Sequence, residues 1–200
     1  MTSSPIIFLL FPLLAAFALS MLFLPAIIRL SILKGWFDLP DARKVHAQPI
    51  PRTGGMVLAP TIAAAVFMAW LPTADTLPFG LGLGMLILYL TGLRDDLVGV
   101  KALPKLGLQM AAGVVLAASG WRIMSLGGGE LPIWMQYGLT VFAVTAVVNA
   151  YNLIDGIDGL AASLAVLAGA TFAWLFYQAG DLTGLVIAAA MVGGYAAFLW

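Results

Sequence analysis

The chain has 200 residues, of which 62% are hydrophobic and only 9% are charged. A soluble domain is typically about one quarter charged, so this composition excludes an ordinary soluble enzyme and predicts an integral membrane protein. The net charge is zero and there is no cysteine, which excludes disulfides, zinc–thiolate sites and thiol chemistry.

Hydropathy predicts an all-α fold, a polytopic transmembrane helix bundle with about seven spans, because a spanning helix needs roughly 20 apolar residues. The N-terminal residues 1–5 lack the basic region of a secretory signal, so the first apolar run is interpreted as a retained helix. The predicted spans are residues 6–24, 55–71, 77–93, 106–120, 134–149, 160–178 and 182–200. We expect one transmembrane domain over residues 1–200. Because an apolar run reaches Trp200, we also expect this domain to be the N-terminal portion of a larger protein.

Basic residues distinguish the two sides of the membrane. Eight of the nine Lys and Arg residues lie in alternate connections, and the positive-inside rule assigns these connections to the cytoplasm. The eight are Arg29, Lys34, Arg43, Lys44, Arg52, Arg94, Lys101 and Lys105. We therefore expect the N-terminus outside, and three polar clusters on the cytoplasmic face.

The first cluster is the connection over residues 38–55, where three prolines and a glycine pair disfavour a regular helix. Lys44 and Arg52, together with exposed backbone amides, are candidate ligands for phosphate oxygens. The alternative is a solvated loop whose basic residues only set the topology, and charge alone favours it. His46 is more typical of a surface residue than of a ligand.

The second cluster is the adjacent pair Asp95 and Asp96, which follows the third predicted span. Successive residues on a helix are about 100° apart, so the two carboxylates cannot point the same way. One can face a bound cation while the other accepts a hydrogen bond or pairs with Arg94 or Lys105. The alternative is a pair of acids that only cap helices in water, since Asp is a favoured N-cap residue.

The third cluster places amides and carboxylates at every third position, at Asn149, Asn152, Asp155 and Asp158. On an α-helix these residues would spread over about half of the circumference, so we expect the helix to end near Asn152, where two Asp-Gly pairs favour a turn. Amide and carboxylate oxygens suit Mg²⁺ or Mn²⁺. The alternative is an Asx-rich helix cap, but three such clusters on one membrane face favour a site for a divalent cation and a phosphorylated substrate.

Three segments together resemble the polyprenyl-phosphate N-acetylhexosamine-1-phosphate transferase family, glycosyltransferase family 4. They are DLPDARKVHAQPIPRTGG, GLRDDLVGVKALPKL and NAYNLIDGIDGLA, in the order of the family. The resemblance covers the N-terminal part of a fold of about ten or eleven helices, whose later loops carry a further magnesium-binding Asp and a His-containing motif.

The resemblance implies that the phosphate of polyprenyl (undecaprenyl) phosphate attacks the β-phosphate of a UDP-amino sugar and releases UMP. The reaction would use Mg²⁺ or Mn²⁺ at the cytoplasmic face of the inner membrane, as the first membrane step of cell-envelope polysaccharide synthesis. A homodimer is one expected state, and no nucleic-acid partner is expected.

The resemblance also implies roles for single residues. Asn152 matches a magnesium ligand, Lys105 matches a lysine that holds substrate phosphate, and Asp158 matches a residue that contacts uracil. Asp95 and Asp96 match paired aspartates, which we interpret as organisers of Lys105 and the metal, because a phosphate monoester is already largely ionised at pH 7 and needs no strong base. The other substrate-binding candidates are Asp155, Asn149, Lys44 and Arg52.

Three other functional classes stay open. A secondary transporter also holds acids near broken helices, although its site should lie near the membrane midplane. A CDP-alcohol phosphotransferase also uses Asp-Gly motifs with a metal, but it expects an Arg soon after the Asp-Gly. An inactive transmembrane fragment is the third.

Overall fold

The computed structural model describes residues 5–38, 50–51, 54–70, 79–155 and 159–200. Within these residues it contains seven helices: α1 Pro5–Lys34, α2 Gly54–Trp70, α3 Phe79–Val98, α4 Ala102–Ala118, α5 Ile133–Ile154, α6 Leu160–Ala179 and α7 Leu182–Phe198. Two short antiparallel pairs join β1 (Phe37–Asp38) to β2 (Ile50–Pro51) and β3 (Ser125–Leu126) to β4 (Gly129–Glu130).

The prediction of an all-α membrane bundle is confirmed. Among the described helices, α1, α5 and α6 are long and apolar enough to cross a membrane by length and composition. The helices α2, α4 and α7 are apolar but shorter, at 17 residues each. The expectation of one transmembrane domain over residues 1–200 stays a prediction.

Three helices extend beyond their predicted ends. The first continues to Lys34, so that Arg29 and Lys34 lie in α1 and not in the following connection. It contains Pro12 and Pro25, which transmembrane helices tolerate because neighbouring groups compensate for the lost hydrogen bond. The third helix continues to Val98, and the fifth continues to Ile154, two residues past Asn152.

The chain forms two compact units, of which the first comprises Met1–Asp75 and Asp155–Trp200. Its helices are α1, α2, α6 and α7, and α7 packs against each of the other three. Small residues allow this packing: an added Cβ at Gly193 would collide with the backbone carbonyl of Leu13 on α1. Ser20 of α1 and Thr61 of α2 share a buried hydrogen bond of 2.8 Å. Close backbone contact and interhelical hydroxyl bonds are typical of helix association in membranes.

The second unit comprises Thr76–Ile154, and in it α4 packs against both α3 and α5. Gly113 allows the approach of α4 to α5, since an added Cβ would lie 2.9 Å from the Val141 Cα. The connections are a turn through Gly99 (φ 74°) between α3 and α4, and the β3–β4 hairpin between α4 and α5. This short up-and-down path brings the end of α3, the start of α4 and the end of α5 together.

Arg122 stabilises the opposite end of the second unit. Its Nε donates to Gln136 Oε1 at 2.7 Å, and its Nη1 donates to the carbonyl of Ala117 at the end of α4 at 3.2 Å. A cation bound to the last carbonyls of a helix is favourable because these groups carry partial negative charge. The arrangement gives Arg122 a structural role.

Candidate functional site

Asp95 closes the turn between α3 and α4. The backbone N–H of Gly99 donates to the Asp95 carbonyl at 2.9 Å, and the backbone N–H of Val100 donates to Asp95 Oδ1 at 2.9 Å. The positive φ of Gly99 (74°) allows the chain to reverse here at low steric cost. One carboxylate oxygen is thus fixed by the turn, and the other is presented to α4.

Lys105 binds the second carboxylate oxygen of Asp95. Its Nζ lies 2.5 Å from Asp95 Oδ2 and donates to Asn152 Oδ1 at 3.1 Å. The two ion-pair side chains are 15% and 24% exposed, for Lys105 and Asp95 respectively. A partly buried pair is less screened by salt than a surface pair. Lys105 therefore forms a polar bridge between the end of α3 and the end of α5.

A second polar contact lies one turn further into the same unit. The Nδ2 of Asn149 donates to Gln109 Oε1 at 2.8 Å and to the carbonyl of Thr145 at 2.8 Å. Gln109 is a fully buried residue that the sequence analysis did not single out. The available signal was its position, four residues after Lys105 in an apolar helix, which places both residues on one helix face.

The structure brings together Asp95, Lys105 and Asn152, and places Asn149 one turn deeper. Asp96 lies in the same turn of α3 with an exposed side chain. Asp95 does not N-cap α4: the N-cap is Lys101, which makes no side-chain cap bond with the described residues. The alternative in which Asp95 only caps the following helix is therefore wrong.

Asp155 immediately follows α5 and belongs to the first unit. The residue is exposed overall, but neighbouring protein atoms desolvate its carboxyl group and raise its pKa above the usual value. Such a carboxyl loses its proton more readily when a cation approaches. Asp158, Lys44, His46 and Arg52 lie outside the described residues.

The described site offers two hard oxygen donors, from Asp95 and Asn152, of the kind that divalent cations such as Mg²⁺ take as ligands. Within the described residues, no three His, Cys, Asp or Glu side chains lie together as a metal site. The oxygens of Asp95 and Asn152 do converge on one cation, the Lys105 ammonium. Protein-bound Mg²⁺ typically takes one or two protein oxygens and completes its shell with water and substrate phosphates. These hard oxygens suit such a partial shell.

The chain is similar to several curated bacterial proteins. It is 30% identical over 181 residues to a Bacillus subtilis protein named probable undecaprenyl-phosphate N-acetylglucosaminyl 1-phosphate transferase, covering 88% of this chain and 50% of that protein. It is 33% identical over 175 residues to the Yersinia pestis undecaprenyl-phosphate alpha-N-acetylglucosaminyl 1-phosphate transferase, covering 84% of this chain and 47% of that protein. A Mycolicibacterium smegmatis decaprenyl-phosphate N-acetylglucosaminephosphotransferase is 34% identical over 152 residues, covering 69% of this chain and 37% of that protein.

The chain thus spans about half the length, or less, of these curated relatives. The family model for glycosyl transferase family 4 matches residues 78–200, which include the whole Asp95–Lys105–Asn152 contact. This match covers more than half of the chain, and the chain therefore belongs to glycosyl transferase family 4.

Proposed function

We propose that this chain provides the phosphate-handling half of a membrane transferase that moves N-acetylhexosamine-1-phosphate from a UDP-amino sugar to polyprenyl phosphate. The observation that carries the proposal is Lys105, held between Asp95 and Asn152 at one end of the second unit. A fixed ammonium at a helix bundle end suits a substrate with phosphates at the membrane surface. The names of the relatives indicate the same class of reaction.

The chemistry needs positioning and charge neutralisation more than proton abstraction. Polyprenyl phosphate is a phosphate monoester with a second pKa near 6, so its attacking oxygen is largely ionised at pH 7. Lys105 would neutralise charge on the phosphates as the bond from the β-phosphorus to UMP breaks. Asp95 would act by holding that ammonium, since one of its oxygens is already engaged by Val100.

The remaining candidate residues would bind the nucleotide sugar and the metal. Asn152 would supply an oxygen to Mg²⁺ or Mn²⁺, and the ion would neutralise diphosphate charge. Asp155 and Asp158 would face the nucleotide, and Asp96 would support Lys105. The further substrate-binding candidates are Asn149, Lys44 and Arg52.

The site would face the cytoplasm in the inner membrane, with the N-terminus outside. The sequence predicts eight of nine basic residues on one side of the membrane, and the positive-inside rule assigns that side to the cytoplasm, which supports this orientation. The UDP-amino sugar is a cytoplasmic substrate, and the lipid phosphate lies at the membrane surface. A homodimer is part of the same proposal.

A transporter is less well supported. Transporter sites lie near the bilayer midplane at broken helices. Here Lys105 lies in the first turn of α4, and Asn152 lies in the last turn of α5. A CDP-alcohol phosphotransferase is also less well supported, since Asp155-Gly156 is followed by no nearby Arg.

UMP formation separates these classes. The product of the complete gene should be purified in detergent and mixed with Mg²⁺, polyprenyl phosphate and a UDP-N-acetylhexosamine. We expect UMP and polyprenyl-diphospho-sugar in equal amounts, and no UMP when the lipid phosphate is omitted. Release of CMP from a CDP-alcohol, or uptake of UDP-sugar into vesicles without UMP release, would contradict the proposal.

A further inference from the structure

We infer that Gln109 is a positioning residue of the proposed transferase site. Its side chain fixes the amide of Asn149 and thereby keeps α4 and α5 in the arrangement that places Lys105 against Asn152. The inference rests on the proposed function. It adds a residue whose hydrogen bond is to Asn149, one turn deeper than the three bridging side chains.

Two parallel contacts join α4 to α5 near the site. The outer contact is Lys105 to Asn152 at 3.1 Å, and the inner contact is Gln109 to Asn149 at 2.8 Å. Gln109 follows Lys105 by four residues, and Asn149 precedes Asn152 by three, so each helix offers both residues from about one face. The inner contact therefore sets the rotation and separation of the helices that carry the outer one.

The backbone fixes the direction of the inner contact. The Thr145 carbonyl can only accept a hydrogen bond, so the group of Asn149 that faces it must be Nδ2. The same Nδ2 reaches Gln109, which must therefore present its Oε1. The two amides have one consistent orientation, and Asn149 is held by two acceptors.

This orientation has a cost. It leaves Gln109 Nε2 buried without a hydrogen-bond partner among the described residues, and Gln109 is only 1% exposed. A buried unpaired donor destabilises the folded state, because it gives up its hydrogen bond to water without a replacement. Met or Leu would fill a similar volume without that cost, so packing alone does not account for a glutamine here. The bond to Asn149 does account for it.

The test compares four variants of the complete gene product in the UMP-forming assay. Gln109→Met removes the contact and the unpaired donor together. Gln109→Asn keeps the amide but shortens the side chain, and Gln109→Glu keeps both the length of the side chain and an oxygen that can accept from Asn149. Gln136→Met is the matched control, because it removes a hydrogen-bonded amide at the opposite end of α5.

We expect Gln109→Met to unfold at the wild-type temperature or higher, while its kcat falls about 10-fold and its KM for UDP-sugar stays within about 2-fold, as for a lost transition-state interaction. Gln136→Met should keep the wild-type kcat. Gln109→Glu should keep more of the wild-type kcat than Gln109→Asn, and this pair decides the question if Gln109→Met does not fold.

Full kcat in folded Gln109→Met, a loss of kcat that only parallels a loss of thermal stability, or a Gln109→Glu variant no more active than Gln109→Asn would overturn the positioning role. Each of these outcomes would contradict the positioning role alone, because the wild-type protein would still form UMP. A wild-type protein that forms no UMP would instead overturn the proposed function, and the inference with it.

Discussion

At the scale of single residues, Asp95 makes two separate polar contacts that indicate its role. Oδ1 accepts the Val100 N–H in the turn, and Oδ2 contacts the Lys105 ammonium. A carboxylate occupied in this way is a poor general base but a good anchor for a lysine. The geometry therefore favours Asp95 as an organiser in the proposed reaction.

Replacing Asp95 by Asn separates these roles. We expect the rate to fall about 10- to 100-fold at every pH, because the ammonium loses its charged partner while the side chain keeps its shape. A general base would instead give a pH–rate limb that the variant lacks. The measurement is kcat between pH 6 and pH 9, in wild type and variant.

The double variant Asp95→Asn with Lys105→Met is the companion test. Since both residues act through one ammonium, the combined loss should be far smaller than the sum of the single losses in free energy. Additive losses would argue against the anchor role, as would the disappearance of a pH limb in Asp95→Asn alone.

The sequence predicts the charged residues of the candidate site but not its buried glutamine. Asp95, Lys105 and Asn152 stand out because ionisable and amide groups are rare in an apolar chain. Gln109 carries no charge and lies within an apolar helix. Its role therefore depends on which residue of α5 it contacts. That pairing comes from helix packing, which hydropathy does not define.

At the scale of elements, hydropathy predicts the number of helices better than it predicts their ends. The predicted ends of α1, α3 and α5 lie too early, because charged and polar residues end the apolar runs before the helices themselves end. Long side chains such as Arg29 and Lys34 can remain in a helix and extend toward water. Because α3 and α5 extend further than predicted, Asp95 and Asn152 lie on helices, where their positions are better defined than in loops.

Gly113 tests the helix contact that supports the site. An added Cβ would lie 2.9 Å from the Val141 Cα, so Gly113→Ala should push α5 away from α4 and lower the thermal unfolding temperature. The matched control is Gly107→Ala on the same helix, where no described atom lies within 4 Å of the added Cβ. The control should be neutral or stabilising, because Ala favours a helix over Gly by about 1 kcal/mol.

Thermal unfolding in detergent, monitored by circular dichroism, measures both glycine variants. Equal unfolding temperatures for Gly113→Ala and Gly107→Ala would show that the close α4–α5 approach does not contribute to stability. In the active protein, Gly113→Ala should also lower kcat, since Lys105 and Asn152 lie on the two separated helices.

At the scale of the whole molecule, the distribution of charge predicts the orientation in the membrane. The chain has no cysteine, so labelling of a single introduced cysteine shows on which side of the membrane that residue lies. Lys101 precedes α4 and Glu130 lies in the β3–β4 hairpin, and both side chains are exposed. These positions belong to opposite predicted sides.

In intact cells, Glu130→Cys should react with an impermeant thiol reagent, and Lys101→Cys should react only after the cells are opened. The reason is the positive-inside rule, which assigns the Lys101 side to the cytoplasm. The opposite labelling pattern would place the proposed site outside, where no UDP-sugar is available.

The most direct test of the central claim compares Lys105→Met with Lys101→Met in the UMP-forming assay. Both changes remove one lysine near the start of α4, but only the Lys105 ammonium bridges Asp95 and Asn152. We expect Lys105→Met to lose about 100-fold or more in kcat, as when one donor to a developing charge is removed, and Lys101→Met to stay within about 2-fold of wild type. Equal activity of two well-folded variants would contradict the assignment of phosphate handling to Lys105.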